Sequence, residues 1–481
     1  MIRTRAAISP TGYPHIGTIY QVLFDYAFAK KNKGQFIVRI EDTDKERTVT
    51  DAEKKVFEAL DWFRVKEDES VRVGGPYVPY RQSERLEIYK KYAEELVDKG
   101  YAYYCTCSKE RLENIRQEMQ KQEKVPMYDK HCRNLKSHPA NGGTNLKFGE
   151  YVIRLKIPEN RKIIIKDEIR GEIEFNSNDV DDQVLLKSDG FPTYFLAVVV
   201  DDHLMKVTHM VRGEEWLTSS PKIILLYDYF GWEKPVFVHT PIIRNPDRSK
   251  FSKRQGHTNI SWYQEQGYLP EAILNYLALM GWSHPQGKEI FSLKEFIETF
   301  DFKDIKPIGP IFDPIKLEWM NGIYIRQKSI RQLADQILEF YKNKNVKLDE
   351  VIVGKTIPLI QERIKKLSDY LPLCEFFFQP PSIYEVDLAD KKELLKNIYK
   401  ELQKIGGDTT LGRPHESGNG HWKANTIGEK MQNLSNKIGM KTGEFFMILR
   451  VAMTGKKISP PLNESMEILG KEECLRRLTL I

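Results

Sequence analysis

The stretch from Ile2 to Ile40 changes its hydrophobic period twice, and that change restricts the fold more than any other feature of the chain. An apolar run ends at Ile8, a turn follows through Ser9-Pro10-Thr11-Gly12, and helical spacing then begins at Ile16, Ile19, Tyr20, Leu23 and Ala27. Gly34 is suited to close that helix as its C′ residue. Phe36, Ile37, Val38 and Ile40 then form a nearly continuous apolar run, which suits a strand buried on both faces. The unit reads as β-α-β. Two parallel strands joined this way need a right-handed crossover, so the spacing predicts a Rossmann-type, doubly wound parallel sheet of the α/β class.

The chain has 481 residues, more than one core of ~100 to 200 residues usually holds. Helical spacing returns from Ser83 to Lys99, closed by Gly100, and the sequence to about residue 190 is mixed, polar and loop-rich, as an inserted α+β domain would be. Sheet-like sequence resumes at Tyr194 to Val200 and again at Val236 to Ile243. If those strands rejoin the first sheet, the middle is an insertion. From Arg326 onward, lysine-rich amphipathic patterns such as Ile330, Leu333, Ile337, Leu338 and Tyr341 predict an all-α region, with a polar, glycine-bearing loop at Gly406 to Gly420. The expected division is therefore 1–80 with 190–250, then 81–189, 251–325 and 326–481.

Hydrophobic residues make up 41% and charged residues 30%, which excludes a disordered or fibrous chain. The net charge of +6 suits a polyanionic partner without requiring one. No run of about 20 apolar residues occurs, and Ile2 to Ile8 is strand-like rather than a signal-peptide core, so a cytoplasmic protein with no membrane partner is expected. The five cysteines are odd in number, and Cys105, Cys107 and Cys132 crowd one segment. This fits a reduced compartment and a metal site better than a disulfide framework.

Two distant elements carry chemistry. His15 and Gly17 stand where the first helix begins, and the unpaired N–H groups and positive dipole end of a helix N-terminus favour phosphate. Gly17 lets a nucleotide approach the backbone, and His15 can donate to a phosphate oxygen gaining charge during displacement at the α-phosphorus. Taken alone, a His-x-Gly is explained by a histidine that packs or caps the helix. The second element is Arg248-Ser249-Lys250-Phe251-Ser252-Lys253-Arg254, after an apparent strand and a Pro-Asp turn. Most such runs are solvated basic loops. Two lysines three apart beside a hydroxyl also suit a loop that closes on a pyrophosphate leaving group.

Together, in this order, the two elements resemble the signatures of class I aminoacyl-tRNA synthetases. Neighbouring segments narrow the resemblance: Ser9-Pro10-Thr11-Gly12, Arg39-Ile40-Glu41-Asp42-Thr43-Asp44, Tyr194, Val200-Asp201-Asp202-His203 and Arg212-Gly213-Glu214-Glu215-Trp216 look like successive blocks of bacterial glutamyl-tRNA synthetases. Ile448 to Gly455 and Ser459-Pro460-Pro461-Leu462 look like the end of that family's anticodon-binding region. The resemblance implies an enzyme that uses ATP with Mg2+ and bound tRNA(Glu) to activate L-glutamate, acting as a monomer. It also implies that 81–189 is an acceptor-binding insertion, 251–325 a stem-contact region and 326–481 the helical anticodon-binding region.

Carried over residue by residue, the resemblance puts His15, Lys250 and Lys253 at the reacting phosphates, and Gly17, Glu215, Trp216, Ile243 and Lys253 at ATP. It puts Arg5 and Tyr194 at the glutamate side-chain carboxylate, Ser9 and Glu41 near the ammonium group and Arg212 near the α-carboxylate. Paired arginines suit a substrate with two carboxylates, because each guanidinium can hold one by two parallel hydrogen bonds. The plainer reading of Arg5, Glu41 and Arg212 is surface ion pairing. Where the family commonly has asparagine four residues after the tyrosine, this chain has Val198, which cannot donate a hydrogen bond. The cysteines resemble the Zn2+ site of some members, with Tyr128 or His131 as the fourth ligand; Asn134 stands where others carry a histidine. The competing functions are a glutaminyl-tRNA synthetase, a truncated relative that glutamylates a modified tRNA base, and a catalytically silent tRNA-binding paralogue.

Overall fold

A computed structural model describes residues 1–44, 49–134, 149–251, 258–405 and 422–481. In chain order its first elements are β1 (Arg3–Ile8), α1 (Ile16–Lys31), β2 (Gln35–Ile40), α2 (Ala52–Trp62), β3 (Glu69–Ser70), α3 (Leu86–Asp98), β4 (Ala102–Cys105) and α4 (Lys109–Lys121). Then come β5 (Val152–Leu155), β6 (Lys162–Asp167), β7 (Gly171–Asn176), β8 (Val184–Leu186), α5 (Tyr194–Leu204), β9 (His209–Gly213), α6 (Ser220–Phe230) and β10 (Val236–Thr240). Helices α7 (Ile260–Gln266), α8 (Pro270–Gly281), α9 (Leu293–Thr299), α10 (Pro314–Arg326), α11 (Ile330–Lys342) and α12 (Glu350–Ile360) follow. The last are α13 (Tyr370–Cys374), α14 (Lys392–Gln403), α15 (Ala424–Lys437), α16 (Thr442–Thr454), α17 (Leu462–Leu469) and α18 (Lys471–Thr479).

The chain forms two compact units, one of residues 1–262 with 273–313 and the other of 263–272 with 314–481. In the first, β1 and β2 pair in parallel from Arg3↔Gln35 to Ile8↔Ile40, and β3 extends the sheet beyond β2. The expected β-α-β opening is present. A second sheet has the order β7-β6-β10-β9, with β10 parallel to both β9 and β6. The two sheets meet where Arg3 and Thr208 exchange hydrogen bonds: Arg3 N–H donates to Thr208 Oγ1 at 2.8 Å and Thr208 N–H to the Arg3 carbonyl at 2.9 Å. The chain order therefore reverses between β1 and β9, which is where doubly wound sheets open a crevice. The β6–β7 hairpin, inside the 81–189 span, thus lies beside β10, whereas β4, β5 and β8 form an antiparallel sheet of their own.

Two local expectations are corrected. Tyr194 to Val200 is not a strand but the start of α5, whose residues Leu196 to Asp202 are all buried. A helix enclosed on every side has no polar face, so its sequence carries no helical period and reads as a buried strand. The helix α1 ends differently too. Lys33, not Gly34, takes the left-handed conformation (φ 51°), with Lys33 N–H bonded to the Lys30 carbonyl and Gly34 N–H to the Ala29 carbonyl. Gly34 is needed for a different reason: a Cβ there would stand 2.2 Å from the Ile2 carbonyl oxygen, where the chain enters β2 against β1. The loop expected at Gly406 to Gly420 lies outside the described residues.

In the second unit, α11 opens with a capping box of Ser329 and Gln332 and buries Leu333, Ala334, Ile337, Phe340 and Tyr341. These pack with Val353, Ile357 and Tyr370, while Leu395, Ile398, Ile427, Met431, Leu449 and Met466 form a further core among α14 to α17. Among the described residues no helix is long and apolar enough to cross a membrane.

Because backbone rather than a flexible side chain blocks a Cβ at position 34, Gly34→Ala should destabilise the first unit by about 1–3 kcal/mol. Chemical denaturation of the variant beside the parent protein measures this; equal midpoints would show that the β1–β2 entry tolerates the shift.

Candidate active site

The site begins at the N-terminus of α1, the end of a helix that in general favours anions. His15 is its N-cap in extended conformation, and its Nδ1 accepts the Gly17 N–H at 2.9 Å. Nδ1 is therefore the acceptor nitrogen, and the ring proton sits on Nε2. Capping and donation to a ligand are thus compatible in one ring, because they use different nitrogens. The segment after the basic run packs beside it: Ile16 N–H donates to the Thr258 carbonyl, and the Phe251 ring meets His15 edge-on at 6.2 Å. Phe251 stacks in turn on Phe312 at 4.7 Å.

A cleft of about 450 Å³ opens here, at the C-terminal ends of β1, β9 and β10. Of the residues singled out in the sequence, Ser9, His15, Gly17, Glu215, Trp216, Ile243 and Lys250 line it. Lys250 Nζ lies 3.3 Å from Glu215 Oε1 and its side chain is exposed. The Glu215 carboxylate rests against Gly213, where a Cβ would come within 2.0 Å of Oε2. Lys253 lies outside the described residues. The lining residues Thr18 and Gln21 were not singled out in the sequence; both stand on the same α1 face as Gly17, and one-face spacing was the available signal.

Arg5, Glu41 and Arg212 are not surface ion pairs. They are 1%, 8% and 4% exposed. Arg5 donates through Nε to Asp202 Oδ1 at 3.2 Å and to the Val211 carbonyl at 2.9 Å. Arg39 donates to the same Asp202 oxygen at 2.7 Å and holds Glu41 Oε1 at 2.9 Å. Burial is the largest influence on both arginines and works against their charge, but Asp202 together with the other acidic neighbours leaves their pKa values raised. Burial lifts the Glu41 pKa, with Arg39 and Arg5 pulling it back. Burial also holds Asp25, beside Arg5, well above the usual carboxylate range.

Arg212 is fixed on one edge: Nε donates to His239 Nε2 at 3.0 Å and a terminal nitrogen to Ser220 Oγ at 2.7 Å. Its other terminal nitrogen lies 3.5 Å from the Tyr194 hydroxyl. The Tyr194 ring stacks on Trp216 at 4.5 Å, which joins the arginine to the cleft wall. Val198, one turn along α5 from Tyr194, is fully buried in the apolar core.

The cysteine cluster forms a site of its own. The sulfurs of Cys105, Cys107 and Cys132 lie within 4.8 Å of one another. The Tyr128 hydroxyl is 3.4 Å from Cys105 Sγ and 3.3 Å from Cys107 Sγ, and it accepts the Cys132 N–H at 2.9 Å. Tetrahedral zinc with sulfur at ~2.3 Å and oxygen at ~2.1 Å sets ligand atoms roughly 3.6–3.8 Å apart. The four residues fit such an ion, and His131 stands outside the cluster, exposed to solvent.

Known proteins bear on this arrangement directly. The family described as "tRNA synthetases class I (E and Q), catalytic domain" matches residues 1–319, and "Anticodon binding domain" matches residues 332–481. A glutamate–tRNA ligase of Acidothermus cellulolyticus is 42% identical over 99% of this chain and 94% of its own length. The Pseudomonas aeruginosa enzyme of that name is also 42% identical, over the same shares. The chain belongs to the glutamate-tRNA ligase family. A solved glutamate tRNA ligase from Elizabethkingia meningosepticum, in complex with its amino acid, superposes with a TM-score of 0.85 at 35% identity, covering 100% of this chain and 98% of that one. Membership in the glutamate-tRNA ligase family makes this a class I aminoacyl-tRNA ligase fold, with ATP and Mg2+ as the family's general requirement.

Reading the sequence missed Arg39, Asp167, Asp202, Ser220 and His239. Asp202 and Arg39 stood inside recognised blocks, and an arginine in a strand otherwise buried on both faces was itself a signal. Asp167, Ser220 and His239 carried none, because a polar residue inside an apolar strand or a helix start shows its partner only in three dimensions.

Asp202→Asn keeps the shape of the side chain but leaves Arg5 and Arg39 sharing no carboxylate. It should cost about 3–5 kcal/mol. Equilibrium unfolding is the measurement, and a loss below ~1 kcal/mol would mean that Glu41 and Asp201 already satisfy both arginines.

Proposed function

We infer that this chain is a working glutamate-tRNA ligase: it activates L-glutamate with ATP to glutamyl-adenylate and transfers the glutamyl group to the 3′ end of tRNA(Glu). The observation that carries this reading is the single cleft lined by His15, Gly17, Glu215, Trp216, Ile243 and Lys250, with Tyr194 and Arg212 reached through Trp216. A glutamate α-carboxylate oxygen attacks the α-phosphorus and pyrophosphate leaves. A ribose hydroxyl of the tRNA end then attacks the acyl carbon and AMP leaves.

His15 has its ring proton on Nε2 for the phosphate, and Gly17 offers bare backbone beside it. Lys250, with Lys253, steadies the departing pyrophosphate; Mg2+, when bound, neutralises further phosphate charge. Trp216, Ile243 and Glu215 hold the adenosine side. Arg5 and Tyr194 take the side-chain carboxylate of glutamate, Ser9 and Glu41 the ammonium group, and Arg212 the α-carboxylate. Residues 81–189 serve as the acceptor-binding insertion, 251–325 as the stem contact and 326–481 as the anticodon-binding region of a monomeric, cytoplasmic enzyme. Cys105, Cys107, Cys132 and Tyr128 hold one structural Zn2+.

Pyrophosphate exchange in the presence of tRNA should proceed with glutamate and fall at least about a hundredfold with glutamine, because a guanidinium buried opposite a neutral amide loses its charge-assisted pairing. Arg5→Leu should abolish the glutamate reaction while circular dichroism and ATP binding stay normal. Equal use of glutamine, or normal activity of Arg5→Leu, would refute the assignment of this pocket.

For the metal, elemental analysis of protein purified without added zinc should find about one zinc per chain, lost together in Cys105→Ser. No zinc, with all three thiols freely reactive to a thiol reagent, would leave the cluster as ordinary reduced cysteines.

A further inference from the structure

Behind Arg212 lies a buried chain of polar groups that the chemistry above does not use. His239 on β10 is fully buried, and its Nδ1 stands 2.6 Å from Asp167 Oδ2 on β6. Asp167 Oδ2 also accepts the His239 backbone N–H at 3.0 Å, and Oδ1 accepts the N–H groups of Ile169 and Arg170, each at 3.0 Å. Three backbone N–H groups and the His239 ring surround that carboxylate and fix it in one orientation. On the other side of the ring, Arg212 Nε can only donate, so His239 Nε2 must be the bare nitrogen and the proton must sit on Nδ1.

We propose that Asp167 and His239 are positioning residues for substrate: Asp167 locks the neutral tautomer of His239, and that tautomer, with Ser220, fixes one edge of Arg212 so that its remaining terminal nitrogen, beside Tyr194, faces the amino acid. The proposal rests on Arg212 holding the α-carboxylate. Ser220 braces the same edge from α6, accepting from Arg212 and lying 3.2 Å from His239 Nε2. The charged groups around the ring are Asp167 from β6, Arg212 from β9 and Arg170 from the β6–β7 turn, whose Nε donates to the His239 carbonyl at 3.2 Å. Burial pushes the imidazole pKa down, with Arg212 and Arg170 adding to it and Asp167 opposing, which keeps the ring neutral at pH 7.

A neutral ring is required for a further reason. A carboxylate in its place would compete with substrate for Arg212, whereas an imidazole fixes direction without cancelling charge.

The test compares glutamate KM, ATP KM and kcat in pyrophosphate exchange with tRNA. In Asp167→Asn the amide can donate to Nδ1 and drive the proton to Nε2, which then points at the Arg212 N–H. Glutamate KM should rise about ten- to a hundredfold with ATP KM unchanged. His239→Leu should do the same. His239→Gln, which retains an acceptor for Arg212, should recover most of the affinity. In an Arg212→Lys background, Asp167→Asn should add no further effect. If Arg212→Lys raises glutamate KM and Asp167→Asn does not, the positioning role is wrong and the arginine's role stands. If Arg212→Lys leaves glutamate KM unchanged, the underlying reading of the α-carboxylate site is wrong. A rise in both KM values together, a loss confined to kcat, or additive effects in the double variant would mark a merely structural pair and overturn the proposal. Should Asp167→Asn fail to fold, the contrast between His239→Gln and His239→Leu decides the matter alone.

Discussion

Asp202 binds two arginines from two strands, and the first unit is organised around that contact. Arg5 comes from β1, Arg39 from β2 and Asp202 from α5, far along the chain. Neighbouring Asp201 extends the same cluster to Arg85 at 2.8 Å, to the Tyr89 hydroxyl at 2.8 Å and to Gln82 at 3.0 Å. Three arginines thus face Glu41, Asp201 and Asp202 with almost no water. Such a cluster adds little net stability over an apolar one, yet any single loss leaves a buried charge without its counterpart. It therefore acts as a strict condition on how the first β-α-β unit meets α5.

The cleft wall uses a milder device. The N-terminal end of α1 is closed by His15, whose Nδ1 accepts the Gly17 N–H, so the cap is made by a side chain that also lines the cleft. Lys250 is held as lightly: its partner Glu215 is on the cleft wall, and an exposed pair at 3.3 Å contributes little. Strong contacts hold the frame and weak ones the positions that must change partners.

How much of this was legible depended on whether the signal was local in sequence. The opening unit, the β10 strand and the amphipathic α11 announced themselves through period, and the residues lining the cleft came from short blocks with definite turn and charge patterns. The helix α5 did not, because Leu196 to Asp202 are buried on every side and a continuous apolar run has no period to read. Lys33 taking the left-handed conformation was hidden by Gly34 beside it, a residue that looks like the better cap but is required by the Ile2 carbonyl. The supports of the arginines were least visible. Asp167 and Arg212 are joined through His239, and no spacing in sequence encodes a contact made across three strands.

Arg5 and Arg212 are held in different ways, and the difference follows from charge balance. In the function proposed for them, each must keep direction in a buried site while retaining enough positive charge to attract a carboxylate. Arg5 is anchored to Asp202, a carboxylate it shares with Arg39, which holds Glu41 as well. Asp25, the other acid beside Arg5, is driven toward its protonated form by burial and so removes little of that charge. Arg212 is anchored differently, on an imidazole ring rather than a carboxylate. A carboxylate there would cancel it outright, and the anchor is a neutral imidazole whose own partner, Asp167, is kept one ring away. Sharing an anion and interposing a neutral ring are two solutions to one constraint: a guanidinium that is to bind a carboxylate must be oriented by its neighbours without being satisfied by them.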